Sequence, residues 1–400
     1  MTAKLPNGWQ EKEIQEVAQI YLGLTHTPSY KEQGVPFLSV KDMSAGKISF
    51  ENTKFISEEE YNALPKGAKP RKGDVLFARV GTLGCPSIVE VDNKFGIFVS
   101  LGFFRVNNNG VLNTYIRYWM LSPYFWRQVD KNVQGSTLKN LNTGWLKYFK
   151  VNIPTLSEQK RIVEKLDKIF AAIDKAKSQT EKNLQNAKDV FSSYLNNIFN
   201  HPAHSWKEKT LGEVCEIISG TTPDTKCPQY WGGENYWITP AELTEGKIFI
   251  DSCRRKITDL AVRDCSLRPM PKGTVVFSSR APIGKVAINN LEVLYCNQGF
   301  KNFICSQSLD NKFLFYFLKF NTPLLVSLGH GTTFKEISKT TISKVSIRYP
   351  SLLEEQKQIV KKLDILKSKT QELEKIYTQK LADLEELKQS VLQQAFNGKL

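Results

Sequence analysis

Two short stretches hold the side chains with the most evident chemistry. Arg79 sits in Ala78-Arg79-Val80-Gly81-Thr82-Leu83-Gly84, and Arg280 in Ser278-Ser279-Arg280-Ala281-Pro282-Ile283-Gly284. Each loop has glycine where the backbone must turn closely. The planar fork of a guanidinium matches a guanine edge or a pair of phosphate oxygens. The other reading is local: an arginine in a tight loop donates to neighbouring carbonyls. A second pair of stretches, Gly135-Ser136-Thr137-Leu138-Lys139 and Gly331-Thr332-Thr333-Phe334-Lys335, offers hydroxyls, backbone N–H groups and a lysine, a set suited to phosphate. Arg79, Thr82, Thr137, Lys139, Ser279, Arg280, Thr333 and Lys335 are therefore candidates for contact with nucleic acid.

Catalytic chemistry is harder to find. The sequence has no GxxxxGK[ST] loop for a nucleoside triphosphate. It also lacks the Asn-Pro-Pro-aromatic run and the glycine-rich strand-to-helix turn that an adenine methyltransferase needs. His26 and His330 fall in loops, and His201 and His204 in a linker, none with a triad context. The seven cysteines include no CxxC pair, and the histidines do not complete a ligand set, so no metal site is expected. The cysteines read as reduced thiols of a cytoplasmic protein. The polar N-terminus does not read as a signal peptide, and no stretch is apolar enough to span a membrane. Lysine and arginine number 55 against 40 acidic residues, a net charge of +15, which favours a polyanionic partner.

The paired stretches belong to a longer internal repeat. Trp9 matches Trp206, and Gly23 matches Gly220. Lys72-Gly73-Asp74-Val75-Leu76-Phe77 matches Lys272-Gly273-Thr274-Val275-Val276-Phe277, and Gly84 matches Gly284. The agreement is closest later, where Pro154-Thr155-Leu156-Ser157-Glu158-Gln159-Lys160-Arg161-Ile162-Val163 recurs, with one insertion, as Pro350 to Val360. Phe199-Asn200 then recurs as Phe396-Asn397. Matches held in one order along the whole chain indicate a duplicated unit.

Each copy reads as a mixed α/β module followed by a long helix. Strands are expected at Val75-Leu76-Phe77-Ala78, Val275-Val276-Phe277-Ser278 and Val286-Ala287-Ile288, the first two announced by a Lys-Gly turn. Tyr115 to Leu121 and Lys312 to Lys319 fit helices. From Glu158 to Phe199 there is no proline or glycine, and apolar or small residues including Ile162, Leu166, Ile169, Ile173 and Val190 alternate by four and three. Ile359, Leu363, Leu366, Leu373, Leu384 and Leu387 continue the same heptad theme in the second copy. Pro154 and Pro350 precede the two helices, and Ser157 is placed to cap the first. Two such seams most simply pack on each other as an antiparallel coiled coil of pseudo-two-fold symmetry, with the modules at opposite ends; the alternative is that each helix packs on its own module. The expected boundaries are residues 1–155 and 201–351 for the modules, and 156–200 and 352–400 for the helices.

A repeated module, each copy ending in a Glu-Gln run (Leu156 to Val163; Glu355 to Val360) and a heptad helix, resembles the specificity subunit of type I restriction–modification systems. The Lys-Gly-x-Val-x-Phe and Gly-[Ser/Thr]-Thr-x-Lys pairs strengthen the resemblance, which covers essentially the whole chain. It implies two target-recognition domains that each read half of a bipartite DNA site, with the helices as the spacer between half-sites. Because the modules differ more than the helices do, the site should be asymmetric. The resemblance also implies partners: double-stranded DNA, two modification subunits that methylate adenine, and restriction subunits that cleave DNA. S-adenosylmethionine, Mg2+ and ATP would be carried by those partners, with no cofactor or catalytic residue on this chain. The competing readings are a self-contained enzyme and a structural coiled-coil protein with basic heads.

Overall fold

A computed structural model describes all residues except 1–4, 45, 82, 108–109, 133–139, 245, 281 and 331–334. The chain divides into two compact units, residues 1–181 with 379–400, and residues 182–378. Each unit contains one α/β module, the start of the helix that follows that module, and the end of the other long helix.

In the first unit, four antiparallel strands run in the order Ala18–Leu22, Leu101–Val106, Val75–Ala78, Gly84–Ile88. Val75–Ala78 is buried on both faces, as its uninterrupted apolar sequence requires. Val75, Phe77 and Phe104 face the helix Asn113–Leu121 and pack on Tyr115 and Trp119. Leu76, Ala78 and Phe103 face the other way, toward Leu38 and Ile97 of a smaller three-stranded sheet and Phe95 just before its last strand. The period of two in side-chain direction thus splits one strand between two cores. Strands Gln10–Glu13 and Lys150–Ile153 pair antiparallel and lead into the first long helix, Leu156–Asn200.

The second unit repeats this plan with a five-stranded sheet ordered Cys215–Ile218, Phe300–Cys305, Val275–Ser278, Val286–Asn289, Phe249–Ile250. Helix Asn311–Phe320 covers Val275 and Phe277, and strands Lys207–Thr210 and Ser346–Tyr349 lead into the second long helix, Leu353–Phe396. The matched glycines mark a shared close approach. A side chain at Gly23 would collide with the Phe98 carbonyl, and one at Gly220 with that of Cys296.

The expected strands and helices are present in both copies, and the two long helices pack in opposite directions within each unit. In the first unit, Arg161 and Lys165 both donate to the Leu400 carbonyl, while Phe170 further along lies under Lys388, 4.8 Å from ring centre to Nζ. Advancing along one helix therefore retreats along the other. Ile162, Leu166 and Ile173 share a core with Val391, Leu392, Ala395 and Phe396. In the second unit Leu195 shares a core with Val360 and Leu363.

The buried stripe differs from the expected one in three respects. Leu373 and Leu387 are 40% and 47% exposed, and Val190 is exposed as well. Leu373 and Leu387 sit one residue before Glu374 and Lys388, which are the half-buried positions, so these leucines flank the seam rather than fill it. Ile169, Ile359, Leu366 and Leu384 are half-buried at its margin. The stripe also includes polar residues that an apolar pattern passes over: Gln159, Thr180, Gln356 and Thr370 are buried. Finally, Ser157 lies inside the first helix. The hydroxyl that accepts from its first turn belongs to Thr155, 3.4 Å from the Glu158 N–H.

Candidate nucleic-acid interface

The glutamines of the two Glu-Gln runs explain how each module is held to its helix. Gln159 is fully buried; its Nε2 donates to the carbonyls of Gly110 and Pro154 at 2.9 and 3.0 Å, and its Oε1 accepts from Leu112 N–H at 2.9 Å. Gln356 repeats this with the Ser308 and Pro350 carbonyls at 2.9 and 2.8 Å and Asp310 N–H at 2.8 Å. Only a primary amide supplies two donors and an acceptor in one short plane, so neither glutamate nor leucine could substitute. About two turns further on, Tyr118 donates to Asp167 in the first unit and Tyr316 to Asp364 in the second. Burial, reinforced by the adjacent carboxylate, pushes both tyrosine hydroxyls well above their ordinary pKa and keeps them as donors. Phe396 on Tyr115 and Phe199 on Phe313 complete matching clamps.

On this common frame the arginine loops diverge. Arg79 leaves the end of its strand and is 9% exposed. Its backbone is tied on both sides, N–H to Ser100 O at 2.9 Å and carbonyl from Leu141 N–H at 3.0 Å. Its guanidinium is also occupied: Nε donates to Leu141 O at 3.1 Å, Nη1 to Val99 O at 2.8 Å, and Nη2 to Asn140 Oδ1 at 3.5 Å. Burial lowers its pKa from the ordinary value. Here the local reading holds: Arg79 knits three segments of its own module together.

In the second unit the equivalent position is Ser279, not Arg280. Ser279 N–H donates to Gly299 O at 2.8 Å and its carbonyl accepts from Ile337 N–H at 3.0 Å, the same two backbone ties. Ser279 itself is fully buried. Arg280 is thus displaced by one residue toward the surface, to the place held by Val80 in the first copy. A buried cation is nonetheless present beneath the loop. Lys301, 7% exposed at its side chain, places Nζ 3.3 Å from Ser279 Oγ and 3.1 Å from Glu336 Oε1. Lys301 pairs with Phe277 as Gly102 pairs with Phe77. A Cβ at Gly102 would lie 2.9 Å from the Tyr21 carbonyl oxygen, so the first unit could not take a lysine there without shifting.

Glu336 joins the two cations. Its Oε2 accepts from Arg280 Nε at 2.6 Å while Oε1 holds Lys301. Burial alone would raise its pKa, but Arg280 and Lys301 hold it below the ordinary carboxylate value. Its backbone exchanges both hydrogen bonds with His330, at 3.0 and 2.9 Å. Lys335, next to Glu336 in sequence, is exposed. Thr82, Thr137, Lys139 and Thr333 lie outside the described residues. Sequence reasoning missed Lys301 and Glu336; the available signal was that Glu336 directly follows the Gly331 to Lys335 run.

The family pattern for the type I restriction modification DNA specificity domain matches residues 6–185 and again 204–385. The chain belongs to this family. Its two matches coincide with the two copies of the repeat, and its relatives are specificity subunits, the components that recognise DNA sequence. It is 43% identical to the type I restriction enzyme MjaIX specificity subunit of Methanocaldococcus jannaschii over 155 residues, which is 38% of this chain and 36% of that one. The chain therefore spans about a third of that relative's length in this match. A putative MjaX specificity subunit of the same organism is 24% identical over 424 residues, 99% of this chain and 95% of that one. A solved chain from a study of complex assembly and conformational transition of the type I R-M system covers 99% of this chain and 100% of its own, with a TM-score of 0.80 and 24% identity, and shares its fold. Among the described residues, no helix is long and apolar enough to cross a membrane.

Proposed function

We propose that this specificity subunit reads a bipartite, asymmetric DNA site, one half per module, and directs adenine methylation and DNA cleavage by partner subunits. The observation that carries this reading is the divergence of the two loops on a shared frame. The glutamine, tyrosine–aspartate and aromatic clamps are repeated, whereas the loop at the end of the central strand presents a buried arginine in one module and a surface Arg280–Glu336 pair in the other. A duplicated frame with unlike loops suits the reading of two unlike sequences. Basic flanks supply the salt-dependent, sequence-blind part of the affinity. The two long helices, each shared between units, serve as the spacer that sets the gap between half-sites.

In this reading the chain acts in the cytoplasm with two modification subunits and with restriction subunits. S-adenosylmethionine, Mg2+ and ATP act on those partners, and this chain contributes recognition only. Within the loops, Arg280 and Lys335, with Thr82, Thr137, Lys139 and Thr333, remain the residues assigned to DNA contact, whereas Ser279 is fully buried and belongs to the loop's support. Arg79 supports its loop from beneath.

The test is methylation mapping of cells that carry the chain with its modification subunit, compared with cells lacking the chain. The expected outcome is loss of one bipartite, non-palindromic methyladenine motif. A palindromic motif would remove the asymmetric reading, and an unchanged methylome would remove the role in modification.

A further inference from the structure

Arg280 differs from Arg79 in which of its donors are committed. All three nitrogens of Arg79 have acceptors within the chain. In Arg280 only Nε is bonded among the described residues, to Glu336 Oε2 at 2.6 Å, and the side chain is 45% exposed. A guanidinium can grip a two-acceptor edge side-on, through Nε and one Nη, or end-on, through both Nη groups. With Nε held by the carboxylate, the end-on fork is what remains, and the bond to Nε also sets the plane in which that fork lies.

Glu336 is itself fixed. The buried amine of Lys301 holds its other oxygen, and its backbone is paired with His330 on both sides. The carboxylate is therefore a rigid post for Arg280 rather than a mobile surface partner. Its charge also bears on what the fork can take. A phosphate would be repelled by a carboxylate a few ångströms away. A guanine edge is neutral, and the amino group of its paired cytosine is a donor that a nearby carboxylate tolerates.

We propose that Arg280 is a guanine-reading residue of the second module, gripping the O6 and N7 acceptors end-on, and that Glu336 is the positioning residue that commits it to that geometry. This rests on the reading of the chain as a two-module DNA reader, and assigns to one of its loops the base it takes.

The test uses the full chain in complex with its modification subunit, on duplexes carrying the mapped motif and on a panel in which each G·C pair of the second half-site is replaced. The wild-type complex should lose roughly tenfold or more in affinity at one of these positions, the scale of one bidentate base contact. Arg280→Ala and Arg280→Lys should both abolish that preference, since lysine keeps the charge but not the fork, while preferences across the first half-site persist and report intact folding. Glu336→Gln should reduce the same preference several-fold with Arg280 still present, and leave the other positions unchanged. Equal weakening of every duplex by Arg280→Ala would mean a phosphate contact and overturn the proposal, as would a second half-site without a G·C pair. No preference between motif and random DNA in the wild-type complex would instead overturn the DNA-reading function itself.

Discussion

The loop around Arg79 and the loop around Arg280 occupy matching places in matching modules, yet they spend their positive charge in opposite ways. In the first, the guanidinium is drawn inward onto the Leu141 and Val99 carbonyls, and its described partners include no carboxylate. In the second, a lysine from the neighbouring strand takes over the buried position, Glu336 neutralises it, and the arginine is released to the surface. A one-residue displacement of the arginine thus exchanges a structural brace for an exposed fork. What both loops share is a cation beneath them; what differs is whether a second one is left over. Duplicated modules can in this way keep their frame and change their reading surface.

That comparison assumes equal frames, which the largest expected effect tests. Gln159→Ala and Gln356→Ala should each destabilise by about 3 kcal/mol, because each removes three hydrogen bonds of a buried amide and strands one buried carbonyl, that of Pro154 or Pro350. Chemical unfolding of the two variants should give similar losses; a large inequality would break the premise that the modules are anchored alike. Arg79→Ala should cost about 2 kcal/mol by leaving the Leu141 and Val99 carbonyls without their donor. Arg280→Ala, measured in the same way, should cost less than about 1 kcal/mol, since its pair with Glu336 is exposed to water and screened. Equal costs for the two arginines would erase the distinction between brace and fork. The smallest effect is expected from acid. Glu336 has a lowered pKa in the folded protein, so its contribution is complete above the ordinary carboxylate value of 4.5 and is lost as pH falls through the lower folded value. A Glu336→Gln variant should therefore show a weaker loss of stability than the wild type below pH 4.5 and the same pH dependence above it.

Much of the frame was legible in the sequence because it rests on local signals. Val75–Ala78 and Val275–Ser278 are short apolar runs behind Lys-Gly turns, and Gly73 and Gly273 adopt φ of +87° and +90°, which explains why the turn is written with glycine twice. The long helices followed from the absence of breakers and from the heptad alternation. Their seam was less legible. Apolar spacing picked Leu373 and Leu387, which are exposed, and passed over Gln159, Thr180, Gln356 and Thr370, which are buried but carry no hydrophobic signal. The correspondence of Arg79 with Ser279 was legible too, since the matches of Phe77 with Phe277 and of Gly84 with Gly284 hold one register through the loop, and the backbone ties of Ser279 agree with it.

By itself the sequence determined the duplication, the strand and helix content and the family, because each depends on residue order and on periods of two, three and four along the chain. Tertiary structure alone decided which arginine is buried and which is offered. Arg79 finds an acceptor 62 residues away and Arg280 finds its carboxylate 56 residues away, and Lys301 reaches both loop segments from an adjacent strand. No local pattern specifies such meetings, since the partners are brought together only when the sheet closes around them.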